Sequence, residues 1–274
     1  MYKFPTIILA AALLLAQPEG ASANFKATLS SHKITARPGE VQTREFRLTL
    51  DGDQPRTRFT AHMQDWWRSE DGAQSFYANP GTLKQSCGRW VALNPVEAVV
   101  EAGSTMITRL TVSVPVEAKP GGYWCVLTVD QLPDPLAASD GVGIRFMASV
   151  SIGVFVYVGE LNRIAEITAV EVRDDAVAVQ LRNDGNTPLA IEGRFEFVKP
   201  GETAPTAVIT LGRETLLTEP IRTGWFSAKL PPAASLPAGR YLVRAIVDYG
   251  VGHYIGTQRE IDIERRAPVV PQGK

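Results

Sequence analysis

Three observations predict an all-β chain folded as two immunoglobulin-like β-sandwich domains in tandem. Short runs rich in Val, Thr and Gly recur along the 274 residues, with proline turns between them. Within these runs apolar residues fall on alternate positions, the spacing of a strand with one buried face. The length suits two domains of ~100–150 residues each.

The first 23 residues read as a secretory signal peptide. Lys3 supplies the positive start, residues 7–16 form an unbroken apolar run, and Ala21-Ser22-Ala23 is a small-residue cleavage pattern. The run is shorter than the ~20 residues a membrane helix needs. The mature chain is expected to start at Asn24, with no membrane span after cleavage.

The N-terminal immunoglobulin-like domain is expected over residues 24–160. Residues 25–37 alternate loosely up to the Pro38-Gly39 turn, and residues 41–50 form a strand with Phe46, Leu48 and Leu50 on one face. After the turn at residues 51–53, residues 58–67 form another strand. Alternation puts Phe59, Ala61, Met63 and Trp67 on one face and Thr60, His62, Gln64 and Trp66 on the other. Trp66 is therefore the tryptophan expected to meet solvent, and a ligand contact through its ring. Residues 69–79 are polar and turn-rich. Strands follow over 90–93, around Val99-Val100, over 106–114 and over 123–129.

The central stretch is residues 142–158. Its even positions, Val142, Ile144, Phe146, Ala148, Val150, Ile152, Val154, Val156 and Val158, are all apolar. At ~3.3 Å per residue such a strand outruns the usual length of ~5–6 residues. Its alternate side chains either fill their own core or meet a partner at a sheet edge. Residues 159–162 are short and polar, a hinge between domains.

The C-terminal immunoglobulin-like domain is expected over residues 161–264. Strands are read at 164–172, 176–181, 189–198, 207–211, 221–230, 241–249 and 254–263, with a turn cluster at residues 183–186. That density of about seven strands in about 100 residues is a sandwich's. Residues 265–274, with Pro268 and Pro271, read as a disordered tail. One echo links the two halves. Tyr123 and Tyr241 each follow a Pro/Gly turn and each precedes an Asp seven residues on, Asp130 and Asp248. A tyrosine at that corner of a sandwich anchors the turn by its hydroxyl.

Chemistry is sparse. The formal net charge is −1, which gives no electrostatic case for nucleic acid or an anionic membrane. The two cysteines, Cys87 and Cys125, are an even count in an exported chain and are expected to form a disulfide worth up to ~4 kcal/mol. His32, His62 and His253 have no metal-ligand spacing. Gly141-Val142-Gly143 precedes a strand, not a helix, and is no phosphate loop. Asp65, Glu70 and Asp71 sit in a turn with mixed charges rather than as a catalytic pair. No enzyme activity, metal or cofactor is expected.

The order of weaker motifs is similar to that of the periplasmic pilus-assembly chaperones, which pair two immunoglobulin-like domains. It runs through Asp65-Trp66-Trp67, Trp90 with Leu93 to Pro95, residues 112–115, residues 120–123 and the long alternating strand. The resemblance implies a periplasmic or secreted, non-enzymatic binding protein. It would capture a pilin or surface subunit by β-strand addition, through Ile144, Phe146, Ala148, Val150 and Ile152. It also implies an arginine and a lysine in the interdomain cleft holding the partner's carboxylate; the motifs match no residue to either, although Arg145 lies in the corresponding strand. A surface module binding glycan through its aromatics, Trp66 foremost, is the alternative.

Overall fold

In a computed structural model, residues 25–27, 31–132, 147–173 and 175–264 are described. The expected leader and tail, together with Ile144, Arg145 and Phe146, lie outside the described residues. The first half carries ten strands: β1 Phe25–Ala27, β2 Ser31–Ala36, β3 Val41–Leu50, β4 Thr57–Arg68, β5 Gln74–Tyr77, β6 Val91–Asn94, β7 Glu97–Val100, β8 Thr105–Ser113, β9 Gly121–Leu132 and β10 Ser149–Val158. The second carries β11 Ala165–Arg173, β12 Ala176–Asn183, β13 Leu189–Val198, β14 Ala207–Leu216, β15 Thr223–Lys229, β16 Gly239–Asp248 and β17 Tyr254–Ile263. Among the described residues the helical content is one short 3-10 turn at Gly88–Trp90.

Each half is a two-layer sandwich. In the first, the sheet β1-β3-β8-β6 faces the sheet β2-β10-β9-β4-β5, with β7 also paired to β4. Phe46, Leu48, Leu110 and Val112 from one layer meet Phe59, Leu127, Val129, Val154 and Val156 from the other, all fully buried. In the second, β11-β12-β15 faces β14-β13-β16-β17. There Val177, Val179, Leu181 and Phe226 meet Phe195, Phe197, Val243 and Ala245. Every one of these faces follows from period-two alternation along its strand.

Both expected tyrosine corners form. Tyr123 Oη donates to Lys119 O at 3.0 Å, and Tyr241 Oη to Pro237 O at 3.1 Å. The Cys87–Cys125 disulfide forms too, with Cα atoms 5.4 Å apart and both residues fully buried. It ties the loop before the 3-10 turn to β9, where Trp124 N donates to Gln85 O at 2.9 Å. That loop is also gripped by the buried carboxylate of Asp65. Its Oδ1 accepts from Gly81 N at 3.1 Å and from the Ser86 hydroxyl, and its Oδ2 accepts from Leu83 N at 2.8 Å.

Two details depart from the sequence reading. A short strand, β5, forms inside the polar stretch and pairs with the end of β4, Phe76 opposite Trp66. Trp66 does lie on the outward face of β4, but that face is covered. The second domain packs there, so Trp66 is only 9% exposed in a cluster with Trp124, Val126, Phe155 and Leu217.

The two halves meet at a tight seam. Gly122 N donates to Asn186 O at 2.8 Å. A Cβ at Gly122 would lie 2.4 Å from Thr187 Oγ1 and 2.5 Å from Pro188 Cδ, so only glycine fits. The connecting residues are pinned rather than loose: Asn162 N donates to Asn186 Oδ1 at 2.8 Å, and Asn186 N to Asn162 O at 3.0 Å. At the far side of the seam, Arg68 pairs with Glu214 at 2.6 Å and lies over the Phe226 ring, and Trp225 N donates to Glu70 O at 2.8 Å.

Candidate functional site

Two adjoining features of β10 form the candidate site: an open strand edge and the interdomain cleft. β10 pairs antiparallel with β9 along its whole length, Ser149 opposite Asp130 through Val158 opposite Gly121. On its other side β2 runs parallel, but only from Gly153 to Val158. Residues 149–152 therefore have no strand on that side among the described residues. Unpaired N–H and C=O groups on such an edge can accept another chain.

The residues expected to face a partner are distributed unevenly. Ala148 and Val150 are half-buried and pack on the rim of the first core. Ile152 is 1% exposed, a member of that core. Its side chain points between the sheets because it continues the row of Val154 and Val156, which β2 and β9 enclose on both sides. In this conformation Ile152 is not available to a partner's groove. Cys87 and Cys125 are structural, and Trp66 belongs to the seam.

The cleft has a volume of about 380 Å³. Its first-domain wall is the outward face of β2 and β10: Ser31, Lys33, Gly153, Phe155 and Tyr157, with Trp66 behind. Its second-domain wall is residues 188–190 and Arg213, Glu214 and Thr215 of β14. Trp66 and Phe155 meet edge to face at a centroid distance of 6.5 Å. Phe155 stands directly opposite Lys33 in the β2–β10 register. Glu214 is engaged by Arg68, whereas Lys33 and Arg213 have no carboxylate partner among the described residues. Burial pushes the Tyr157 phenol above its ordinary range, against a smaller opposite pull from Arg163, so it remains a neutral hydroxyl. The cleft thus presents two cations and a hydroxyl above an aromatic floor, a setting for an anionic group on an apolar segment.

Lys33 and Arg213 were not legible as site residues. The alternation of Ser31–Ala36 turns Lys33 outward, but nothing in the sequence says that a second domain faces it. No group of histidine, cysteine and acidic side chains suited to a metal ion occurs among the described residues. No described helix is long and apolar enough to cross a membrane.

Tandem sandwiches joined at such a cleft define a chain with the fold of fimbrial chaperones. A chain of a chaperone–tip adhesin complex of CFA/I fimbriae biogenesis superposes with a TM-score of 0.51 at 12% identity, over 86% of this chain and 99% of that one. The class 5 fimbriae chaperone CfaA gives a TM-score of 0.50 at 11% identity, again over 86% and 99%. No family model matches the sequence, and no curated protein matches it. At these identities the likeness is one of fold, and it spans both domains.

Proposed function

We propose that the protein is a non-enzymatic, exported chaperone-like binding protein that captures an extended strand of a pilus or surface subunit along β10. The observation that supports this reading is the edge at residues 149–152, which no strand covers on the β2 side among the described residues. An added strand satisfies those main-chain groups and gains affinity from them. Ala148 and Val150, at the rim of the core, are the side chains on this edge that a partner can cover. In the sequence, Ile144 and Phe146 ahead of this segment continue the same apolar alternation.

The cleft supplies a second hold. The resemblance to pilus-assembly chaperones implies a carboxylate anchored between the domains by an arginine and a lysine. In this chain the cations in the cleft are Lys33 of the first domain and Arg213 of the second. Export rests on the leader read at residues 1–23. The domain boundary of this reading lies at residues 159–162, between the two cores. A glycan module stacking on Trp66 has less support, because a ring 9% exposed and packed on Phe155 has no free face for a sugar.

The test is co-purification of a co-expressed fimbrial or surface subunit with the mature protein and with Val150→Asp. Capture by the parent and its loss in Val150→Asp, with the melting temperature of the variant's first domain unchanged, is the expected result. A variant that still folds and captures the subunit as well as the parent does refutes the edge mechanism. Ile152→Asp is the contrasting control: it buries an unpaired carboxylate and unfolds the first domain, at a cost of several kcal/mol.

A further inference from the structure

The open edge has two chemically distinct sides. Toward the core it offers the half-buried Val150, beside Ile152, which is already enclosed. On the outward face it offers Ser149 and Ser151, both exposed, and neither serine stands alone. Thr128 Oγ1 donates to Gln64 Oε1 at 2.9 Å and so accepts from Ser151 Oγ at 3.1 Å. Ser149 Oγ donates to Asp130 Oδ1 at 2.5 Å, while Asp130 Oδ2 meets His62 Nδ1 at 3.4 Å. Two polar rungs therefore run across β10, β9 and β4, one ending at each serine of the edge that is uncovered among the described residues.

These rungs have a physical consequence for an incoming strand. Residues side by side on neighbouring strands share a face of the sheet, so a strand added beside residues 149–152 sets its side chains alternately against serine and against the core rim. A slip of one residue turns every side chain to the wrong face. Apolar groups then stand beside the rungs, and polar groups are pressed against Val150 and the core rim without a hydrogen-bond partner. The rungs also hold the edge in place on the side where β2 gives no support, which lowers the ordering cost of binding.

We propose that the rungs Ser149–Asp130–His62 and Ser151–Thr128–Gln64 are the specificity element of the edge. They select a partner segment in which hydroxyl- or amide-bearing residues alternate with apolar ones. This inference rests on the strand-capture reading and adds the chemistry of the strand that is taken.

Two amidated octapeptides of identical composition test it, one alternating threonine with valine and one with all threonines preceding all valines. The amide end keeps the cations of the cleft out of the measurement. Isothermal titration of the mature protein should show roughly tenfold tighter binding of the alternating peptide, the cost of about one misplaced hydroxyl. In the Ser149→Val/Ser151→Val double variant the preference should fall to about twofold or less, with binding of the valine-block peptide improved. Thr128→Val, which removes the hub of one rung without touching β10, should fall between, and it decides the matter if the double variant does not fold. Equal binding of both peptides by the parent overturns the selection while leaving strand capture standing, as does undiminished preference in the variants. If the parent binds neither peptide and captures no subunit, strand capture fails as well.

Discussion

Replacing Gly122 by alanine puts one methyl group into the seam. That Cβ would lie 2.4 Å from Thr187 Oγ1, 2.5 Å from Pro188 Cδ and 3.0 Å from Thr187 Cα. The last two leave no flexible side-chain end to move aside, so the turn of the second domain must retreat from β9. Retreat breaks the bond from Gly122 N to Asn186 O, now 2.8 Å. Overpacking of this kind costs about 1–3 kcal/mol, and the hydrogen bond adds about 1 kcal/mol. Urea unfolding should therefore show a loss of about 2–4 kcal/mol. Because the turn 186–188 also begins the second wall of the cleft, small-angle scattering should show a more open particle, and tryptophan emission should shift to the red as Trp66 gains water. Gly52→Ala, where nothing lies within 4 Å of the added carbon, is the matched control. Stability within about 0.5 kcal/mol of the parent, with unchanged scattering, would falsify the claim that this glycine sets the domain contact.

Three further outcomes are expected. Reducing the Cys87–Cys125 bridge, which spans a sequence separation of 38, should cost the first domain up to about 4 kcal/mol. Calorimetry should show its transition falling more than the second domain's, and equal shifts would count against two independent cores. Asp65→Asn turns an acceptor of three hydrogen bonds into a group with an N–H facing a donor, so chemical unfolding should register a loss of about 2–3 kcal/mol. An unchanged midpoint would show that the loop before Cys87 does not depend on that carboxylate. His32 is 5% exposed, and burial, with a smaller push from the Arg44 charge, lowers its pKa below the ordinary 6.5. The unfolded chain then binds the proton more readily, so this contribution is complete above about pH 6.5 and is lost as pH falls from there toward the folded value. Stability measured from pH 7 to pH 5 should drop more steeply in the parent than in His32→Leu; parallel curves would remove His32 from the account.

Strand positions were legible where one face is buried and the other wet. Residues 41–50, 189–198 and 254–263 were read with the bounds that β3, β13 and β17 have. The tyrosine corners and the cysteine pair were legible because each depends on a local turn or on residue count. What escaped depends on contacts between distant segments. β5 is a four-residue strand of mixed polarity that exists because β4 is long enough to offer it an edge. The burial of Trp66 comes from a domain about 150 positions away: Leu217, its partner in the seam, is anonymous in sequence. Lys33 and Arg213 share a cleft for the same reason. The odd positions of β10 are Ser149, Ser151 and Gly153, then the aromatic Phe155 and Tyr157, and the structure supplies the cause of the change. The polar stretch faces solvent along the rungs, and the aromatic one faces the second domain.

The N-terminal chain enters as β1, on the edge of one sheet beside β3, and continues as β2 in the opposite sheet beside β10. This change of layer acts as a gauge. Because β2 runs in the same direction as β10, its first residue, Ser31, marks where the covered part of β10 starts, opposite Gly153. Moving the start of β2 by two residues would move the end of its pairing with β10 by ~7 Å. The length of β10 that β2 covers is thus set by a segment more than a hundred positions upstream of it. Lengthening or trimming β2 offers a way to alter how much of β10 is paired, while every residue of β10 stays as it is.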